Sequence, residues 1–257
     1  MSKLIYFTVS SNKLFIEMFL LCLESLIKQN YDGDFLVITN FKDEISKRYT
    51  FKNPIHFLNV EDTHILGAAS NKFKIYEFDK AKNYDKILYV DVDLLFFTSP
   101  NVIFDLIDKK FIYVSYDDCT QDYPSKLMTE KLKGNYWWKN SLFEMEEIKY
   151  IERKRILGIN TGIFAFDSSL IFHFEKIDKF FHSNIALSNH ALEQPFMNLY
   201  LFRNNLFKPE LTDYVTHNGL FKTHHEKPII HFAGYAEGLA KKINCMNNLI
   251  NLSNPKS

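Results

Sequence analysis

The chain has 257 residues, of which 46% are hydrophobic and 24% are charged. This size and composition favour one α/β domain with a substantial core, with or without a small appendage, over two equal domains. Because 31 basic residues balance 31 acidic residues, no overall electrostatic field would attract nucleic acid or an anionic membrane.

The cysteines indicate the compartment. Cys22, Cys119 and Cys245 are widely spaced and form no Cys-x-x-Cys pair. They predict neither a disulfide framework nor a zinc site, and the simpler interpretation is a reducing, cytoplasmic compartment.

The apolar run that begins at Leu4 is too short for a signal peptide and predicts a first strand. No run approaches the length of a transmembrane helix.

Strand-like and helical patterns alternate along most of the chain. This alternation predicts a mostly parallel sheet covered by helices on both faces, within one domain at 1–242 and a loosely held tail at 243–257. The predicted strands lie at 4–9, 34–39, 87–92, 111–115 and 162–166, and helical patterns at 13–28 and 70–80.

Residues 117–158 interrupt this alternation. The segment contains the neighbouring Trp137 and Trp138, followed by a charged run. If the insertion covers the carboxyl edge of the sheet, it predicts a substrate lid or an acceptor platform. The alternative is a solvated helical excursion with both tryptophans packed against the core.

Asp91 and Asp93 follow a buried strand and are separated only by Val92. Alternate residues of an extended strand face the same side, so the two carboxylates can converge on one hard cation. Magnesium and manganese accept such ligands and keep positions open for phosphate oxygens. Open α/β sheets bind ligands at the carboxyl ends of their strands. The alternative is that the acids only solubilise a strand end.

Two later segments also place polar groups at the ends of elements. Glu193 and Gln194 precede an apolar helical pattern, with Pro195 at a favoured first-turn position. A helix-capping acid is the ordinary alternative for Glu193. His231 ends a short apolar strand, where a histidine is more often a core or surface residue than a ligand.

Four segments in this order carry a resemblance to a known family. They are Asp91-Val92-Asp93, Asn160-Thr161-Gly162-Ile163-Phe164, Glu193-Gln194-Pro195-Phe196-Met197-Asn198 and His231-Phe232-Ala233-Gly234. Their order and spacing resemble the retaining glycosyltransferases of family eight, which include glycogenin and bacterial lipooligosaccharide galactosyltransferases. The resemblance covers about residues 4–242.

The resemblance implies a GT-A fold, which is Rossmann-like, and a retaining transfer of a hexose from a UDP-sugar to a glycan or other hydroxyl acceptor. It also implies a manganese ion, or magnesium, bound by Asp91, Asp93 and His231. Manganese accepts an imidazole beside carboxylates more readily than magnesium does. Front-face attack and double displacement through an enzyme nucleophile are both consistent with retention.

The resemblance also implies roles for individual residues. Glu193 would orient the transferred sugar, and Gln194 would lie closest to the reacting face. An exposed helix lysine is the alternative for Lys72, and a helix N-cap is the alternative for Asn12. The implied donor-binding residues are Thr8, Ser10, Asn12, Phe15, Lys72, Asp91, Val92, Asp117 (with Asp118 as its competitor), Asn160, Thr161, Gly234 and Lys241.

The chain departs from the family pattern in two places. The family continues from its His-x-x-Gly into a Lys-Pro-Trp element whose lysine binds the diphosphate, but here Gly234 leads to Lys241 and Lys242 without it. The phosphate role is therefore open between these two lysines, or it is lost. The second departure is Glu193, where many members have aspartate.

Two other functions compete with this prediction. A sugar-1-phosphate nucleotidyltransferase also combines a nucleotide-binding sheet with metal-binding acids, but it usually has a glycine-rich first loop. Residues 8–12 contain no glycine, which counts against it. The other candidate is a catalytically silent protein that binds a sugar nucleotide or a glycan.

Overall fold

A computed structural model describes residues 1–61, 65–116, 142–154, 156–187, 193–217, 226–233 and 238–252. Its centre is a seven-stranded sheet in the order β3-β2-β1-β4-β7-β6-β8. The pairs within β3-β2-β1-β4 and the β6-β8 pair are parallel, whereas β7 runs antiparallel to both of its neighbours. These strands are β1 (Lys3–Val9), β2 (Asp34–Thr39), β3 (Ile55–Asn59), β4 (Lys86–Val90), β6 (Ile112–Tyr116), β7 (Ile159–Asp167) and β8 (Phe207–Lys208).

A second, three-stranded sheet has the order β5-β10-β9. Strand β10 pairs antiparallel with β5 and parallel with β9. The turn after β4 leads directly into β5, so this small sheet lies beside the carboxyl end of β4. Its strands are β5 (Leu94–Phe96), β9 (Val215–Thr216) and β10 (Ile229–His231).

The described helices cover both faces of the large sheet. Among the described residues, none of them has the length and apolar character that a bilayer span requires. They are α1 (Leu14–Lys28), α2 (Lys42–Arg48), α3 (Ile65–Ser70), α4 (Asn101–Leu106), α5 (Met145–Lys154), α6 (Ile171–Ser183), α7 (Gln194–Arg203) and α8 (Leu239–Leu252).

Strand β1 shows why the sheet is apolar on both sides. Leu4 and Tyr6 pack into one core cluster, while Ile5 and Phe7 pack into the cluster on the opposite face. All four side chains are fully buried, as expected when helices cover both faces of a sheet. The predicted α/β class and mostly parallel sheet are confirmed.

The structure differs from the helix predicted at 70–80. Helix α3 ends at Ser70, and two 3₁₀ helices follow, at Asn71–Glu77 and Asp79–Asn83. In a 3₁₀ helix, residues three apart lie on the same side, which places Lys72 and Ile75 together on the buried face. Lys72 is thus buried together with its neighbours Asn71 and Phe73.

The structure also differs from the loose tail expected from residue 243. Helix α8 extends to Leu252 and buries Met246 and Ile250 in the core cluster that contains α1. These residues are four apart and share one helix face, which the asparagine-rich composition of the segment obscures. The helix also carries Lys242 into the interior.

Candidate active site

Backbone hydrogen bonds fix both ends of the Asp91–Asp93 turn. Asp91 N–H donates to the Gly162 carbonyl at 2.7 Å, and Phe232 N–H donates to the Asp93 carbonyl at 2.9 Å. The first bond ties the turn to β7 and the second ties it to the end of β10. Segments that lie far apart in sequence therefore meet at the carboxyl end of β4.

Asp91, Asp93 and His231 form a potential metal site. One ligand atom from each residue lies within 4.8 Å of the other two, and His231 Nε2 lies 3.2 Å from Asp93 Oδ1. Neighbouring ligand atoms on one octahedral ion at about 2.1 Å lie about 3 Å apart, so the 3.2 Å spacing of His231 Nε2 and Asp93 Oδ1 matches a shared ion. Two carboxylates and one imidazole fit manganese better than magnesium.

Gly162 makes room for the imidazole of His231. A Cβ atom at this position would lie 2.4 Å from His231 Cε1 and 2.9 Å from its Nε2. Asn160 supports this part of β7, since its Oδ1 accepts a hydrogen bond from Gly162 N–H at 2.8 Å. Glycine is therefore required here by close approach to a side chain.

We expect Gly162→Ala to displace His231 and to weaken Mn²⁺ binding by about tenfold, with an overpacking cost of about 1–3 kcal/mol. Gly33→Ala is the matched control, because its Cβ would come 2.4 Å from the Tyr31 hydroxyl oxygen, just before β2 begins. Both variants should unfold at lower temperature, but Gly33→Ala should bind Mn²⁺ normally in calorimetry. Wild-type Mn²⁺ affinity in Gly162→Ala would contradict the prediction.

Lys72 links Asp91 to Glu193, the residue that precedes α7. Its Nζ lies 2.7 Å from Glu193 Oε1 and 3.5 Å from Asp91 Oδ1. Burial lowers the pKa of Lys72, but the two carboxylates outweigh burial and raise that pKa above its ordinary value. Lys72 is therefore a buried, charged group, and the alternative of an exposed helix lysine is wrong.

Tyr89, on β4, donates a hydrogen bond to Asp91 Oδ1. Burial, followed by the charge of Asp91, raises the pKa of Tyr89 well above its ordinary value, so the phenol remains a donor. The ammonium group of Lys72 also lies 5.2 Å from the centre of the Tyr89 ring. Asp91 is thus oriented by one neutral donor and one cation.

Glu193 and Gln194 begin α7 as the sequence predicted, with Pro195 in the first turn. Both side chains point back to β7. Thr161 Oγ1 donates to Glu193 Oε1 at 2.8 Å, and Thr161 N–H donates to Gln194 Oε1 at 3.1 Å. Lys72 Nζ also donates to the Thr161 carbonyl at 3.2 Å, so these groups form one connected network.

Lys242 reaches Asp93 from α8. Its Nζ lies 2.5 Å from Asp93 Oδ2, and its side chain is almost fully buried. Burial by itself raises the pKa of Asp93, but Lys242 and His231 outweigh burial and hold that pKa well below its ordinary value. Lys241, the lysine expected to bind substrate, is exposed, because successive helical residues point about 100° apart.

His217 is a buried residue of this region that the sequence prediction missed. Its Nδ1 lies 3.0 Å from His231 Nδ1, and its Nε2 lies 2.9 Å from Ser115 Oγ. The side chain has no exposed area. The only signal in the sequence is its position after the two-residue strand β9, which is too short to be recognised without its partner.

The predicted nucleotide loop follows β1. Ser10 is buried, and its hydroxyl accepts a 3.5 Å hydrogen bond from Asn71 Nδ2. Asn12 is exposed, and its Oδ1 accepts a 2.9 Å hydrogen bond from Leu14 N–H at the start of α1. Asn12 thus accepts from the first N–H group of α1, although Lys13, and not Asn12, occupies the N-cap position. Thr8 and Phe15 are half-buried, and Phe15 packs against the core.

Other expected site residues have different positions. The side chain of Val92 packs into the core, so only its backbone faces the carboxyl edge. Asn160 and Thr161 are almost fully buried. The remaining expected residues, Asp117, Asp118, Trp137, Trp138 and Gly234, lie outside the described residues.

Comparisons with known proteins identify the fold. No protein-family model and no curated protein matches the chain. The chain is similar to the solved apo structure of WbbM, a bifunctional glycosyltransferase, with a TM-score of 0.63 and 13% sequence identity. The match covers 96% of this chain and 50% of the WbbM chain, so this chain spans about half the length of that protein. The predicted GT-A, Rossmann-like fold is confirmed.

Proposed function

We propose that the chain is a metal-dependent, retaining glycosyltransferase of the family-eight type that transfers a hexose from a UDP-sugar to a glycan or other hydroxyl acceptor. The observation that carries the proposal is the convergence of Asp91, Asp93 and His231 at the carboxyl edge of a GT-A sheet. Acids at this edge of an open α/β sheet lie where such folds bind their ligands.

Asp91, Asp93 and His231 would hold the divalent cation, with manganese as the best match to this mixture of oxygen and nitrogen ligands. When bound, the cation would act as a Lewis acid that stabilises the leaving diphosphate. The cation would share the Asp93 carboxylate with Lys242, because Lys242 contacts Oδ2 and His231 faces Oδ1.

Lys72 and Lys242 would bind the donor phosphates. Asp91, Asp93 and Glu193 carry three negative charges and the two lysines carry two positive charges, which leaves one net negative charge before the cation and donor bind. A divalent cation reverses this sign and so favours an anionic diphosphate. The two lysines then complement the charge that develops on the leaving group.

Glu193 and Gln194 would contact the transferred sugar. The Glu193 carboxylate has contacts with Lys72 Nζ and Thr161 Oγ1 through one oxygen, Oε1. These contacts fix the position of the carboxylate before the sugar binds, so that little reorganisation is needed during the reaction. Thr161 fixes the Gln194 amide in the same way through its backbone N–H.

We expect Lys242→Met to lower the affinity for Mn²⁺-UDP by about tenfold, or about 1.4 kcal/mol, because one phosphate contact is lost. The affinity for Mn²⁺ alone should not fall, since the change removes a positive charge beside the cation site. Lys241→Met is the matched control from the exposed side of α8 and should leave both affinities unchanged. Calorimetry in which Lys241→Met shows the larger loss for Mn²⁺-UDP would contradict this assignment.

The proposed function is tested by incubating the protein with Mn²⁺ and a panel of UDP-sugars, and by measuring released UDP with chromatography. Release that requires Mn²⁺ and stops on addition of EDTA supports the proposal. Formation of a UDP-sugar from UTP and a sugar-1-phosphate would instead identify a nucleotidyltransferase. Binding of the UDP-sugars without release or transfer would identify a silent binding protein.

A further inference from the structure

A series of buried hydrogen bonds leads from the potential metal site to strand β6 of the large sheet. It passes from His231 to His217 and then to Ser115, with heavy-atom distances of 3.0 and 2.9 Å. The register of the small sheet explains the first contact. Ile230 pairs with Thr216 across parallel strands, so the next residues, His231 and His217, lie side by side.

Ser115 is placed at this position by an irregularity in the sheet. The pairing of β6 with β7 shifts register between Val114 and Ser115. Such bulges redirect a side chain relative to a regular strand. Ser115 Oγ can therefore reach both His217 Nε2 and the Tyr116 carbonyl, the latter at 3.2 Å.

The Tyr116 carbonyl gives the chain of hydrogen bonds a direction, because a carbonyl only accepts. The Ser115 hydroxyl donates to it, so Ser115 Oγ accepts from His217 Nε2–H. The unprotonated Nδ1 of a neutral His217 then accepts from His231 Nδ1–H. In a neutral His231 the lone pair of Nε2 consequently points toward Asp93 Oδ1, at 3.2 Å.

A nitrogen lone pair that faces a carboxylate oxygen is favourable only when a proton or a metal cation lies between them. We propose that His217 is a positioning residue: it accepts from His231 Nδ1–H and thereby presents His231 Nε2 as the metal ligand. Histidines that bind metals usually donate their second ring N–H to such a partner, and removal of the partner costs about 10–100-fold in metal affinity. This inference rests on the proposed function, because it requires a cation at Asp93 and His231.

Three variants test the role of His217 with Mn²⁺ alone, measured by the loss of the free-ion signal in electron paramagnetic resonance. His217→Phe keeps a ring but removes the acceptor, and should bind Mn²⁺ about 10–100-fold more weakly. His217→Asn restores an acceptor on the atom bonded to Cγ, and should recover most of the affinity. Ser115→Ala removes the hydroxyl that fixes the His217 tautomer, and should also weaken binding without deleting a ring.

Thermal unfolding of each variant separates positioning from packing. A variant that only disturbs packing should unfold at a lower temperature. Recovery of Mn²⁺ affinity in His217→Asn instead requires the restored hydrogen-bond acceptor. Wild-type affinity in folded His217→Phe, or equal losses in His217→Phe and His217→Asn, would overturn the role of His217 alone. If His217→Phe does not fold, unchanged affinity in Ser115→Ala overturns it. Wild-type protein that binds no Mn²⁺, with or without UDP, would overturn the proposed function itself.

Discussion

Asp91→Asn and Asp93→Asn should each weaken Mn²⁺-dependent binding of UDP by at least about 100-fold, or about 3 kcal/mol. Each change keeps the volume of the side chain but replaces a charged oxygen ligand by a neutral amide. Asp93→Asn also removes the ion-pair partner of Lys242. Calorimetry of UDP in the presence of saturating Mn²⁺ measures the loss, and unfolding temperatures show that the variants are folded.

Asp105→Asn is the matched control for these two variants. It removes the same charge from an exposed position on α4. Helix α4 lies at the other end of β4, where Lys86 Nζ donates to the Phe104 carbonyl. Its UDP affinity should equal that of the wild type. Undiminished Mn²⁺-dependent binding in Asp93→Asn would contradict the metal site.

Glu193→Gln should reduce turnover at least about 100-fold while donor affinity changes little. The amide keeps an oxygen that can accept from Thr161 Oγ1, but it lacks the charge that holds Lys72. Removal of an interaction that strengthens in the transition state lowers the turnover number and leaves donor affinity nearly unchanged. Steady-state kinetics with a verified acceptor, together with UDP calorimetry, measures the two effects separately.

Glu193→Asp is the companion variant, because it keeps the charge and shortens the side chain. It should retain more turnover than Glu193→Gln if charge is the main contribution. Lys72 keeps Asp91 as a second partner, so both variants should remain folded. Near-normal turnover in folded Glu193→Gln would show that Glu193 has no role in the reaction.

Much of the fold and part of the site could be predicted because their signals are local. Leu4 to Val9 is apolar on both sides, which indicates a strand buried on both faces. Asp91 and Asp93 follow such a strand, and Pro195 marks the first turn of α7. The grouping of these acids with His231 came from the order of the motifs, and the structure brings the three residues together.

The parts of the site that could not be predicted depend on contacts between distant segments. Lys242 reaches Asp93 only because α8 buries Met246 and Ile250, and its composition instead suggested a loose tail. His217 meets His231 only through the register of two very short parallel strands. A single sequence contains no periodicity that reports either contact.

The most direct test of a donor site built on a divalent cation is one pair of calorimetric titrations with wild-type protein. UDP is titrated in the presence of Mn²⁺ and again in the presence of EDTA. If Asp91, Asp93 and His231 bind the diphosphate through the cation, UDP should bind at least about 100-fold more tightly with Mn²⁺. Equal UDP affinity under the two conditions would contradict the proposed site.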